Sequence, residues 1–354
     1  MLWIWIAFVA FVLLMLMIDL GVFHHHAHVV SLKEAMVWSL VWVIVSLMFN
    51  VFVYFAYEHH WQGLGLNPTL MHPHGLTGNA AAALFFTGYL LEKSLSMDNI
   101  FVIALIFAYF KIPGMYQHRV LYWGILGALI MRGAMIGVGT ALIERFNWIL
   151  YLFGAFLIFT GIKMVYSEGQ SNPDANPLVK LARRYLRISQ ELHGQHFVVR
   201  SAGKLVFTPL AMTLLVVETT DLVFAIDSIP AVFAITTDPF LVYTSNVFAI
   251  LGLRALYFAL AQILNMFHYL KYSLAVILVL VGIKMLAAHY LKRSEWIADH
   301  LSLITLVTVV SLLAAGVVAS LLHKPKPQAA ADAAKTDAGD AAIAAQSPGV
   351  SSRR

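Results

Sequence analysis

Residues 90–107, LLEKSLSMDNIFVIALIF, have the composition of a membrane-crossing helix, yet they carry Glu92, Lys93 and Asp98. A charged side chain at the centre of a bilayer costs at least about 2.5–3.5 kcal/mol unless it finds partners. Two carboxylates in one such run therefore require partners elsewhere in the chain. Where those partners lie decides both the fold and the function.

The surroundings are those of a membrane protein. Of 354 residues, 60% are hydrophobic and 12% charged, with a mean hydropathy of +0.80. Soluble domains are about 25% charged. There is no cysteine, which removes disulfides, thiolate metal sites and thiol catalysis. The net charge of +5 sits mainly in loops beside apolar segments, so no nucleic-acid partner is expected. The N-terminal run, MLWIWIAFVAFVLLMLMIDLGVF, lacks a basic n-region and a small-residue cleavage pattern and reads as a retained first span. The chain contains no GxxxxGK[ST] phosphate loop, so no ATP motor is expected. It is not expected to be an enzyme or to hold a tightly bound cofactor.

Apolar runs of about 20 residues mark spans. Nine are expected, at 2–23, 36–57, 80–108, 120–142, 148–166, 208–235, 240–263, 270–290 and 299–322. They divide the chain into two N-terminal helices (1–79), a three-helix unit (80–166), a basic loop (167–207), a second three-helix unit (208–290), a last span (291–324) and a disordered tail (325–354). Within the loop, PLVKLARRYLRISQEL reads as a short amphipathic basic helix, and HFVVRSAGKLVF as a hairpin. Lys180, Arg183, Arg184 and Arg187 place this loop in the cytoplasm, the N-terminus outside and the C-terminus inside. Lys111 and Arg119 agree with that orientation, whereas Lys292 and Arg293 oppose it.

The two three-helix units are related. Asp98-Asn-Ile-Phe101 resembles Asp221-Leu-Val-Phe224, the segment around Arg132 resembles that around Arg254, and GIKM occurs at 161–164 and 282–285. The offsets are 123, 122 and 121 residues. A unit of three spans enters the membrane in opposite senses in its two copies. The expected fold is thus an all-α membrane protein of about nine helices with an inverted repeat, an arrangement that places substrate at the midplane between repeats.

The second copy opens with VVETTDLVFAIDSIPAVFAITTDP, residues 216–239. Glu218 and Asp221 share a helical face, while Asp227 and Asp221, like Asp98 and Glu92, are six residues apart. Ideal helices splay the latter pairs by about 120°, so local unwinding is expected, with Pro230 marking a break. Glu92, Asp98, Glu218, Asp221 and Asp227 form the expected site, with Asn99, Thr219, Thr220 and Ser228 beside them and Asp98 facing Asp221. An all-oxygen set suits a hard divalent cation such as Mn²⁺, Mg²⁺ or Ca²⁺. Lys93, Arg132 and Arg254 are candidate counter-charges. The bland alternative is buried ion pairs that only hold helices together. The histidines of HHHAH at 24–28 and His59, His60, His72 and His74 read chiefly as solvated loop residues.

EKSLSMDNIFV and the segment from VETTDLVFAIDSIP to LGLRALYF, with WSLVWVIVSLMFN and both GIKM segments, resemble the TerC family of integral membrane proteins, most closely its Alx branch. The resemblance covers about residues 1–322. It implies a multi-span bacterial inner-membrane protein of metal homeostasis, with manganese export as the leading activity and LysE-type exporters as wider relatives. It carries the family's acidic positions onto the same five carboxylates. It also implies an alternative, a factor assisting assembly of other membrane proteins. Oligomeric state is not readable.

Overall fold

The computed structural model describes residues 2–21, 31–66, 68, 75–146, 148–166, 189, 192–201, 204–260, 269–291 and 295–322; Asp98 and some residues at element ends are described by backbone alone. The expected amphipathic helix, HHHAH, His72, His74 and the tail lie outside the described residues.

The chain is a bundle of long helices. They are α1 (Leu2–Gly21), α2 (Leu32–Glu58), α3 (Gly78–Tyr109), α4 (Gly114–Arg145), α5 (Ile149–Tyr166), α6 (Pro209–Ile235), α7 (Pro239–Leu251), α8 (Leu253–Leu260), α9 (Leu270–Leu291) and α10 (Glu295–Leu322). Among the described residues, seven segments, α2, α4, α5, α6, α7 with α8, α9 and α10, are long and apolar enough to cross a membrane. The apolar stretch of α1, Leu2–Ile18, is shorter, and α3 has 32 residues but carries Glu92, Lys93 and Asp98. This is a multi-pass integral membrane protein. Between α5 and α6, β1 (Val198–Ser201) pairs antiparallel with β2 (Lys204–Phe207), in register Val198 to Phe207, where the sequence pattern predicts a hairpin.

Backbone groups inside lipid must be satisfied within the protein, and helix starts show how this is done. Ser31 Oγ accepts from the Glu34 amide at 3.3 Å, and Thr77 Oγ1 from the Ala80 amide at 3.4 Å. Asp238 Oδ1 accepts from the Phe240 and Leu241 amides at 3.0 and 3.2 Å, with Pro239 in the first turn. Asp238 also accepts a 2.8 Å bond from the Tyr57 hydroxyl, tying α7 to the end of α2. Hydroxyls within the spans turn back on their own helices: Thr219 and Thr220 donate to the Leu215 and Val216 carbonyls.

The segment formed by α7 and α8 is the centre of the bundle. In its most apolar window 89% of residues are buried, against 17–44% for the other six spans. It packs on α3, α4 and α2, and an aromatic cluster joins it to α1. Trp5 meets Phe240 at 5.4 Å and Phe49 meets Phe248 at 4.5 Å between ring centroids. Outward faces of α1 and α2, including Leu2, Trp3, Met36 and Leu40, are exposed and apolar, as lipid requires.

The break expected at Pro230 does not occur there. α6 is continuous through Pro230 to Ile235, and α3 is continuous through Glu92 and Asp98. Proline removes one amide donor, and burial among Ala225, Ile229 and Ala231 leaves the rest of the ladder no competing solvent. The interruption falls instead at Gly252, between α7 and α8, where backbone angles are φ −84° and ψ 3°. There the Lys93 ammonium donates to the Ala249 carbonyl at 3.2 Å. A cation at a helix C-terminus satisfies an orphan carbonyl and complements the dipole. Lys93 is therefore a helix-end partner and is not paired with its neighbour Glu92.

α5 and α9 run antiparallel in intimate contact. A Cβ at Gly282 would lie 2.7 Å from the Gly154 carbonyl oxygen, and one at Gly161 would lie 2.8 Å from the Ala275 carbonyl oxygen. Small residues let membrane helices approach this closely. Gly282→Leu is expected to destabilise the protein by about 1–3 kcal/mol through overpacking. The check is the melting midpoint in detergent, and an unchanged midpoint would contradict the close approach.

Candidate functional site

The centre of the site is a guanidinium. Arg132, on α4, is 2% exposed, and its side chain reaches residues of three other helices. Its Nη1 donates to Glu92 Oε1 of α3, to Asn246 Oδ1 of α7 at 3.1 Å and to Ser228 Oγ of α6 at 3.4 Å. On its other edge, Nη2 and Nε address Asp221 Oδ1 and Oδ2 of α6 at 3.1 and 3.4 Å, a bidentate pair. Ser228 Oγ also lies 3.5 Å from Glu92 Oε1, and Asn246 Nδ2 donates to the Val242 carbonyl at 3.0 Å.

The arrangement gives the intramembrane carboxylates the partner they need. Glu92 of α3 and Asp221 of α6 share one cation, the Arg132 guanidinium. The site is not symmetrical in exposure. The Glu92 side chain is 1% exposed and that of Asp221 15%, so the cluster is closed at Glu92 and more open at Asp221. Glu92 Oε2 is buried with no hydrogen-bond partner among the described residues. An unsatisfied buried carboxylate oxygen is costly until a water, an ion or a ligand completes it.

The remaining expected residues are distributed around this centre. Glu218 lies one turn before Asp221, close enough for their charges to repel, and its carboxylate covers Gly127 of α4, where a Cβ would collide with it. Asp227 turns to α5 instead, hydrogen-bonding Thr160 with Lys163 nearby. Thr219 and Thr220 are occupied by their own helix, and Asn99 is buried at 6% exposure. Arg254 is buried at 5% exposure on α8 and has an interaction of its own. Asp98 lies on α3, and its side chain is outside the described residues, so its pairing across the midplane with Asp221 is not described. Among the described residues, no three acidic or imidazole groups converge as a metal-holding set. The physical reason is that desolvated carboxylates seek positive charge, and Arg132 and Lys163 draw them to different helices.

The TerC integral membrane protein family model matches residues 77–328. The chain belongs to the TerC family. Alx of Escherichia coli (strain K12), whose name proposes a membrane-bound redox modulator, is 48% identical over 288 residues, 81% of this chain and 86% of that protein. The uncharacterized membrane protein STKORF319 of Myxococcus xanthus is 46% identical over 333 residues, 94% of this chain and 96% of that protein. An uncharacterized membrane protein of Rickettsia felis is 44% identical over 321 residues, 90% and 98% of the two chains. No solved structure matches. Every residue of the Arg132 cluster lies within the region matched to the TerC family.

Arg132, a candidate counter-charge in the sequence, is paired with Glu92 and Asp221, while Asn246 is not among the residues that the sequence pattern singles out. The signal for Asn246 was present: an amide inside the apolar run VYTSNVFAIL must find a partner in the membrane.

Proposed function

We propose that this TerC-family chain is a secondary transporter that exports divalent metal cations, Mn²⁺ foremost, from the cytoplasm across the bacterial inner membrane in exchange for protons. The observation that carries the reading is the buried Glu92–Arg132–Asp221 cluster. It sets two carboxylates from two halves of the bundle, with hydroxyl and amide oxygens, around one positive charge. An all-oxygen set of this kind suits a hard divalent ion. A purely structural ion pair accounts less well for the Glu92 oxygen that no described group satisfies.

Nine crossings follow if α1 and α3 are added to the seven apolar spans. The inverted repeat has its own support. The approach of Gly154 to Gly282 and that of Gly161 to Ala275 exchange when residues are shifted by the 121-residue offset of GIKM. An antiparallel pair whose contacts exchange in this way is what a two-fold axis in the membrane plane produces. Likewise α3 packs on α7 while α4 packs on α6. Orientation rests on the basic 167–207 loop. A cysteine at Ser171 is expected to resist impermeant maleimide in intact cells, and labelling from outside would reverse the topology.

Exporting a divalent ion against 100 mV, inside negative, costs about 4.6 kcal/mol at roughly 2.3 per charge. Carboxylate ligands supply the coupling, since each must shed its proton to bind metal. The redox role in the name of the Alx relatives finds no thiol here, because the chain has no cysteine. An assembly factor predicts partner proteins and no intrinsic flux. Purified protein in liposomes is expected to move Mn²⁺ faster with an imposed pH gradient than without one. No divalent-ion flux from folded protein over a range of pH would favour the assembly role.

A further inference from the structure

We propose that Asn246 and Ser228 are ligands of the transported cation and that Arg132 is its built-in competitor. This rests on the transporter reading and specifies the site within it. Four oxygens on three helices converge on the Arg132 fork: Glu92 Oε1, Asp221 Oδ1, Ser228 Oγ and Asn246 Oδ1. Asn246 and Ser228 are 1% and 3% exposed, so their oxygens are held for an interior partner. A divalent ion needs about six oxygens at short range. The four already gathered, with the unsatisfied Glu92 Oε2 and a second oxygen from Asp221, supply that number and that hardness. The guanidinium and the metal ion cannot both hold these oxygens, so cation entry requires Arg132 to withdraw. Asn246 contributes a neutral oxygen from α7, and its amide is fixed by the Val242 carbonyl, which turns Oδ1 toward the site.

The test is equilibrium Mn²⁺ binding to detergent-purified protein, read from the electron paramagnetic resonance signal of free Mn²⁺. Asn246→Ala is expected to weaken binding about ten-fold, the loss of one ligand. Asn246→Asp is expected to bind Mn²⁺ at least as tightly as the wild type. If Asn246 serves only to hold Arg132, the added carboxylate strengthens that ion pair and weakens Mn²⁺ binding instead. Arg132→Gln is expected to tighten binding, because the competitor is gone. Asn246→Ala with wild-type affinity, a folded Asn246→Asp with weakened affinity, or a folded Arg132→Gln with weakened affinity would each overturn the assignment. Absence of Mn²⁺ binding by the wild type itself would instead remove the transport reading on which it rests.

Discussion

Asp221→Asn is expected to reduce Mn²⁺ transport by at least about 100-fold while the protein still inserts and folds. Even groups that only orient a metal's ligands change affinity by about 10–100-fold when lost, and a charged ligand should matter no less. The substitution keeps the shape of the side chain and one of the two hydrogen bonds from Arg132, since the amide has a single accepting oxygen. Glu92 still neutralises the guanidinium. The expected signature is therefore lost flux with a modest change in melting midpoint. The structural ion-pair alternative predicts the reverse: unchanged flux per folded molecule and a stability loss of about 3–5 kcal/mol. Flux and thermal melting measured on one preparation separate the two.

Arg132→Gln carries the second large effect, and here stability responds first. Two carboxylates, one of them 1% exposed, would lose their shared cation. Breaking a buried pair on one side costs about 3–5 kcal/mol. The metal ion then becomes the replacement charge. Mn²⁺ at 100 times its dissociation constant stabilises the folded state by about 2.7 kcal/mol, so most of the lost stability should return on adding it. The wild type, which already holds Arg132, should gain less at the same Mn²⁺ concentration. Melting midpoints with and without Mn²⁺ make the comparison. A variant that Mn²⁺ does not rescue would leave Arg132 as a structural residue.

Much of this arrangement is legible in the sequence because the bilayer punishes unpaired charge. Glu92, Asp221 and Arg132 stand out against apolar runs, and the likeness of Asp98-Asn-Ile-Phe101 to Asp221-Leu-Val-Phe224 brings both helices to attention. The hairpin at 198–207 is legible for a different reason, two β-rich runs around a Ser-Ala-Gly-Lys centre. Helix rotation and kinks are less readable. The six-residue spacing brings Asp227 to Asp221 only if the span unwinds, whereas α6 stays helical and Thr160 of α5 meets Asp227 separately. Proline was the obvious candidate for a break, yet the interruption needs both a glycine free of a Cβ near Trp42 and a lysine to take the Ala249 carbonyl. Neither requirement is local in sequence: Lys93 and Ala249 are 156 residues apart. Asn246 was passed over because a single amide carries no pattern of its own; its importance lies in the contact with Arg132, 114 residues away.

A Mn²⁺-soaked crystal of the protein, with anomalous differences recorded at the manganese edge, would locate the ion. One strong peak is expected among Glu92, Asp221, Ser228 and Asn246, with the Arg132 guanidinium withdrawn from between the two carboxylates. Manganese only at the surface, with Arg132 still bridging Glu92 and Asp221 at saturating Mn²⁺, would contradict that placement.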